Sequence, residues 1–262
     1  MPREFRSFRV EAIVLYHADS GEADRVVTLY TRQEGKVRTV AKGVRKIRSR
    51  KAGHLEPFTH VTVQLAKSRS YPLITQAETI EAFLPLRQNL ERVGQASYVV
   101  ELLDKFTYEE GENISLFTLL RDTFHRLIQP DIDPALITRY YELRLLDFVG
   151  FRPELYTCVI CGEEIQAENQ YFSAEHGGAV CPNCGHGQEG MRPISLDALR
   201  YLRFFQRSTY AQATKAQPNA NQHREMELIM QHYITYVLER SLKTPRFIRD
   251  TKGSYPTPPD QT

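Results

Sequence analysis

The 262-residue chain contains no apolar run of bilayer-spanning length, and its opening MPREFRSFRVEA has no apolar core of the secretory kind. A cytoplasmic protein is therefore expected, with no membrane partner. The sequence also lacks a dinucleotide fingerprint, a Gly-x-Ser-x-Gly elbow and an HExxH helix, and its eight histidines are scattered. Ala41-Lys42-Gly43 has neither the upstream glycine nor the following helix of a P-loop. His17, Asp19, Glu22 and Asp24 share one turn, but no second acidic cluster on a strand completes a two-metal nuclease site. With no catalytic pattern left, a non-enzymatic protein is expected. Internal repeats are absent, and cysteine is scarce. In a reducing compartment four cysteines read as metal ligands before they read as disulfides.

What is present is ordinary in bulk and uneven in distribution. Hydrophobic residues make up 41% and charged residues 25%, the composition of one large or two modest globular domains. Residues 1–80 hold 15 Lys and Arg against 8 Asp and Glu, a balance of +7, whereas the rest of the chain carries −5. The stretch KVRTVAKGVRKIRSRK contributes Lys36, Arg38, Lys42, Arg45, Lys46, Arg48, Arg50 and Lys51 without one acid. Its first half alternates like a strand and Gly43 permits a bend; its second half is too charged to be buried and too long for a hairpin tip. Such a loop on a small β-unit is the electrostatic footprint of a polyanion site, against the plainer reading of a solvated basic loop.

Alternation or continuous apolar character predicts strands over residues 8–17, 25–32, 36–42, 58–65 and 71–83. Five strands in about eighty residues suggest a small closed barrel, an OB-fold with an SH3-like barrel as near competitor. Tyr16, Tyr30, Phe58 and Tyr71 lie on or beside these strands and could stack on bases, although strand geometry sends half of them into the core. From Pro85 the period becomes helical. Helices are expected over 86–108, with Leu90, Val93, Ser97, Val100 and Leu103 on one face, and over 115–128. Asp133-Pro134 starts a third, through Val149, whose wide face (Leu136, Ile137, Tyr140, Tyr141, Leu145, Phe148, Val149) suits a core element. Ser195 caps a helix to about Phe205, Thr209–Gln222 reads as a flexible loop, and 224–242 as a last helix with a Met and aromatic stripe. The proline-rich tail, 246–262, is expected to be disordered.

Cys158-x-x-Cys161-Gly and Cys181-x-x-Cys184-Gly are separated by nineteen residues, the spacing of a structural four-cysteine zinc site. A two-residue gap lets both thiolates of a pair face one ion. Gly162 and Gly185 are expected in left-handed turns. Tyr171-Phe172 and Gly177-Gly178 suggest the hairpin of a zinc ribbon. Four sulfurs leave no open coordination position, so the role is structural, and His176 and His186 are not needed as ligands.

Three segments, EAIVL at 11–15, GEADRVVTLYT at 21–31 and GKVRTVAKGVRK at 35–46, resemble the N-terminal domain of the bacterial RecO recombination-repair family. YELRLLDFVGFRPELYTCVICG at 141–162, YFS at 171–173 and GGAVC at 177–181 resemble that family's cysteine unit, in the same order along roughly residues 8–205. The resemblance implies an α+β protein: an OB-fold over 1–83, then a helical domain over 84–245 with a four-cysteine zinc finger set in at 156–192. It implies a mediator in the bacterial cytoplasm, at the nucleoid. Such a protein binds single- and double-stranded DNA, anneals complementary strands and helps load RecA onto strands coated by single-strand-binding protein, with RecR as partner. By position Lys36, Arg38, Lys42, Arg45 and Lys46 fall in the family's basic segment. Five phosphate contacts would give a salt slope near −3.5 on single strands. The rival readings are a protein-interaction scaffold whose loop docks an acidic partner, and an RNA-binding OB protein.

Overall fold

A computed structural model describes residues 7–108, 111 and 113–238. Residues through Gln129 form one compact unit and those from Pro130 another. The expected tail, and the expected helix beyond Leu238, lie outside the described residues.

The first unit is built on a closed barrel of β1 (Ser7–Ser20), β2 (Asp24–Thr31), β3 (Gly35–Ala41), β4 (His60–Ala66) and β5 (Leu73–Glu81), in the order β1-β2-β3-β5-β4. All neighbours are antiparallel except β3 and β5, which meet in parallel at Val40 and Leu73. This is the five-stranded Greek-key order of an OB-fold, and it decides against the SH3-like alternative. One strand serves both neighbours. Ser7–Ile13 of β1 pair with β4, Ala12–Ser20 pair with β2, and a slip between Val14 and Tyr16 lets the strand curl from one to the other. Val10, Ala12 and Val14 point inward with Val27, Leu29, Val61, Val63, Leu65 and Ile74 to fill the barrel.

The opposite face of the barrel wall is covered by helices. α1 (Leu84–Gln88) is only five residues long, because Asn89 breaks the predicted 86–108 helix with extended dihedrals. The Asn89 side chain accepts from the Arg92 N–H and opens α2 (Leu90–Phe106). The predicted face of α2 is also rotated. Leu90 is exposed and Val93 half-buried, while Ala96, Tyr98, Val99 and Leu102 are buried beside Val100 and Leu103. α3 (Ile114–Leu127) follows, with Phe124 edge-on to Phe58 and Phe83, and Phe117 edge-on to His60 of β4. The unit is thus longer than the segment that carries the strands.

The second unit begins with α4 (Pro134–Phe148), capped by Asp133 through the Ala135 N–H. It is buried nearly all round, as its wide apolar face suggests, but Phe148 at its end is exposed. The cysteine segment carries β6 (Gln170–Ser173), β7 (Gly178–Val180), the single turn α5 (Pro182–Gly185) and β8 (Met191–Ile194), in sheet order β7-β6-β8. Then come α6 (Leu196–Arg207), α7 (Tyr210–Ala213) and α8 (Ala220–Val237). The stretch Thr209–Gln222 is more ordered than its composition indicates. Gln212 Oε1 accepts from the Thr209 N–H, and Asn219 and Gln222 exchange hydrogen bonds as a capping box, so polar residues here start helices. Among the described residues no helix is long and apolar enough to cross a membrane.

Candidate nucleic-acid interface and metal centre

The basic segment joins β3 to β4, two strands that are not neighbours in the barrel, which explains its length. It is not a free tether. Val44 (1% exposed) and Leu55 (0%) plug the barrel core at its two ends. The acidic turn that could have suggested a nuclease holds it instead. Asp24 Oδ1 accepts from the Gly43 N–H at 2.7 Å, Asp19 pairs with Arg45 at 3.4 Å and with Arg25 at 3.2 Å, and the Arg45 N–H donates to the Ala23 carbonyl. Gly43 takes a φ of +63°, which a β-carbon would resist. The Ser49 N–H donates to the Lys46 carbonyl, closing a turn that leaves Ile47 fully exposed at the tip. The expectation of an unburied loop therefore holds only for its charged residues and its tip, because the apolar residues flanking the charges have a core to enter.

The eight cations sort into three groups. Lys36, 12% exposed at its side chain, donates to the Asp104 carbonyl at 2.6 Å and to its carboxylate at 3.0 Å, tying β3 to α2. Lys51 donates to the carbonyls of Ile74 and Lys42, and burial pulls its ammonium below the ordinary lysine range, with Asp24 opposing. These two ammonium groups serve the fold. Arg45 is shared with Asp19, and Arg38 is exposed on β3, where its charge bears on the Tyr16 hydroxyl. Lys42, Lys46, Arg48 and Arg50 are exposed and have no side-chain partner among the described residues. Four unpaired cations on one rim form a surface that attracts polyanions. Of the aromatics, Tyr30 and Phe58 are buried; Tyr16 and Tyr71 are partly exposed, and the Tyr16 hydroxyl donates to Asp104.

The four cysteines converge. Their sulfurs all lie within 4.8 Å of one another, and among the described residues they are the only such group of potential ligands. Tetrahedral bonds of about 2.3 Å to zinc require sulfurs about 3.8 Å apart, and Cys161 and Cys181 lie at 3.9 Å. The Cys181 N–H points at the Cys158 sulfur at 3.4 Å. Burial pushes the Cys158 thiol up, but backbone N–H groups of Cys161, Cys181 and Ile160 aimed at it prevail and hold it down at about 6. Four converging thiols, one of them ready to ionise at neutral pH, fit a closed structural metal site.

Of the two glycines after the knuckles, one meets the expected left-handed turn and the other does not. Gly162 is left-handed, at φ +79°. Gly185 is not; it ends the α5 turn with the Tyr171 ring against it, and a β-carbon there would meet that ring at 2.6 Å. His176 hydrogen-bonds Ser173 and His186 lies 3.4 Å from the Tyr171 hydroxyl, so both have other partners.

Two family models match the chain: "Recombination protein O N terminal" over residues 5–83 and "Recombination protein O C terminal" over 87–246. The DNA repair protein RecO of Roseiflexus sp. (strain RS-1) is 38% identical over 94% of this chain and 87% of its own length. RecO of Dehalococcoides mccartyi is 36% identical over 90% and 92%, and RecO of Symbiobacterium thermophilum 35% over 92% and 96%.

Proposed function

Because the chain belongs to the RecO family of DNA repair proteins, we propose that it is a non-enzymatic recombination mediator. It binds single- and double-stranded DNA and anneals complementary strands. With RecR it helps load RecA onto DNA coated by single-strand-binding protein, in the cytoplasm at the nucleoid. The observation that carries this reading is the set of four partnerless cations, Lys42, Lys46, Arg48 and Arg50, on a buttressed loop of an OB barrel. Arg38 and Arg45 stand beside them as secondary contacts.

Annealing requires two like-charged strands to approach without their base edges being sealed. Cations on long side chains neutralise phosphates through counterion release and carry little sequence preference. A loop anchored at both ends presents them at lower ordering cost than a free tether would. Cys158, Cys161, Cys181 and Cys184 would hold a zinc ion, which would cross-link the two knuckles and leave no open coordination position for chemistry. Domain limits of 1–83, 84–245 and 156–192 remain part of the proposal.

The test is annealing of complementary oligonucleotides coated with single-strand-binding protein, with RecR present or absent. Wild type accelerates annealing, and the variant with Gln at Lys42, Lys46, Arg48 and Arg50 loses most of the acceleration. A folded variant that anneals at the wild-type rate would move the interface elsewhere. Equal loss of binding to a plain acidic protein would favour the scaffold reading. A strong preference for strands bearing 2′-hydroxyls would favour the RNA reading.

A further inference from the structure

The second unit contains a cavity of about 650 Å³ between α6 and the segment leading into α8. Arg200, Arg203 and Arg207 stand on α6 at positions i, i+3 and i+7, so they form one stripe about 10 Å long. Lys215 faces them from the other side of the cavity. Arg200, Arg207 and Lys215 are exposed, and their side chains have no hydrogen bond or ion pair among the described residues. Arg203 is held in place: its Nε donates to the Leu155 carbonyl at 2.7 Å and its guanidinium lies over the Tyr156 ring at 5.1 Å. Its Nη2 is nonetheless buried without a hydrogen-bond partner. Tyr201 and Phe204, both half-buried, line the wall between the arginines. The one acid on the wall, Asp197, accepts from Gln222 Nε2.

The Arg203 guanidinium, fixed by the Leu155 carbonyl and the Tyr156 ring, sets one positive charge rigidly in the wall. With three exposed, unpaired cations around it, a ligand of this groove is negatively charged. The stripe of charge spans about two to three consecutive phosphates of a strand, and aromatic walls between cations are what unpaired bases stack on. A carboxylate-bearing peptide would use the cations but leave the repeat along α6 unexplained. We infer that the α6 groove is a second polynucleotide site, separate in the fold from the barrel loop, so that one chain holds two strands. The inference rests on the annealing role proposed above and supplies its missing element, a place for the second strand.

The test uses the full chain, two non-complementary oligonucleotides carrying donor and acceptor dyes, and complementary pairs for annealing. The variant R200E/R207E/K215E changes only exposed side chains, and circular dichroism checks its fold; R200Q/R207Q/K215Q is used if the charge reversals disturb it. The groove variant is expected to bind a first strand within about threefold of wild type. It should lose energy transfer between two strands and anneal at least tenfold more slowly. The loop variant with Gln at Lys42, Lys46, Arg48 and Arg50 should retain weak binding with a salt slope near −2, from three groove phosphates. Wild-type energy transfer and annealing in the groove variant would overturn the inference and leave the proposed function standing. The same result with lost affinity for a fluorescent Asp/Glu-rich peptide would overturn it in favour of a peptide dock. Loss of all strand binding in the groove variant alone would keep the groove and discard the loop. A wild-type chain that captures no strand would sink both.

Discussion

Substitution of Lys42, Lys46, Arg48 and Arg50 by Gln removes the loop cations whose side chains have no partner among the described residues. Each phosphate neutralised on a single strand contributes about 0.7 to the slope of log K against log salt, so four contribute about 2.8. Between 50 and 200 mM salt that share amounts to about 50-fold in Kd. The quadruple variant should therefore show a slope shallower by about 2.8 with its fold unchanged, since all four side chains are exposed. Lys36→Gln is the informative contrast. Its ammonium is bound to Asp104, so its loss should cost about 2 kcal/mol of stability and leave the slope as it was. Reversal of Arg45 to Glu would be a poor probe, because it sets two carboxylates against each other at Asp19 and disturbs the loop itself. Fluorescence anisotropy with a labelled oligo-dT across a salt series reads the slopes, and urea unfolding reads the stabilities. A folded quadruple variant whose slope matches wild type, or a Lys36→Gln variant that lowers the slope as much, would refute the sorting of these cations by their partners.

Protein purified without chelator should contain one zinc per chain by plasma mass spectrometry, and Cys158→Ser should lower both zinc content and thermal stability; four freely titrating thiols in native, metal-free protein would contradict the closed site. Gly185→Ala should destabilise the four-cysteine unit by about 1–3 kcal/mol, because the new β-carbon meets the Tyr171 ring at 2.6 Å. Relief by Tyr171→Ala in a double-mutant cycle checks that the ring is the cause. His60 is buried, and burial lowers its basicity although Glu11 works against it. The unfolded chain therefore binds a proton more readily than the native one, and stability from this residue is complete above the ordinary value of about 6.5 and lost as pH falls below it. His60→Gln should flatten the dependence of Tm on pH between about 7 and 5, and an unaltered profile would assign that dependence to other groups.

The barrel was legible because its strands alternate with a core face, and because a loop too charged to bury must lie outside it. The convergence of the four cysteines was legible from spacing alone. The break at Asn89 was harder to see: apolar residues recur at helical spacing on both sides of it, and only the cap to Arg92 N–H shows that the chain turns there. Thr209–Gln222 misled in the opposite direction, since Thr, Asn and Gln look like loop composition until they pair as capping boxes. The α6 groove did have a signal, three arginines at helical spacing, but α6 was read only for its Ser195 cap and its extent.

The harder lesson concerns charge. Counting Lys and Arg from 36 to 51 gives eight candidate contacts, and the count treats them as equivalent. The fold does not. An ammonium on a strand that faces a helix, as Lys36 does, meets a carboxylate placed there to receive it, and one at the foot of a loop, as Lys51 does, meets the carbonyls of Ile74 on β5 and of Lys42. Position along the segment does not decide this: Lys42, at the very start of the loop, stays available, while Lys36 and Lys51, whose side chains turn onto the scaffold, do not. The acids follow the same logic in reverse. Asp19 and Asp24 lie some twenty residues upstream and look like a separate cluster, yet their effect is to hold Arg45 and Gly43 so that the tip projects. Removing Asp24's carboxylate should therefore weaken strand binding by loosening the loop, although it takes away a negative charge that by Coulomb's law alone would strengthen it. Asp24→Asn retains the acceptor oxygen and Asp24→Ala does not. Lower affinity in the alanine variant than in the asparagine variant, at equal net charge, would separate the positioning effect from the electrostatic one, and equal affinities would show that the loop needs no such anchor.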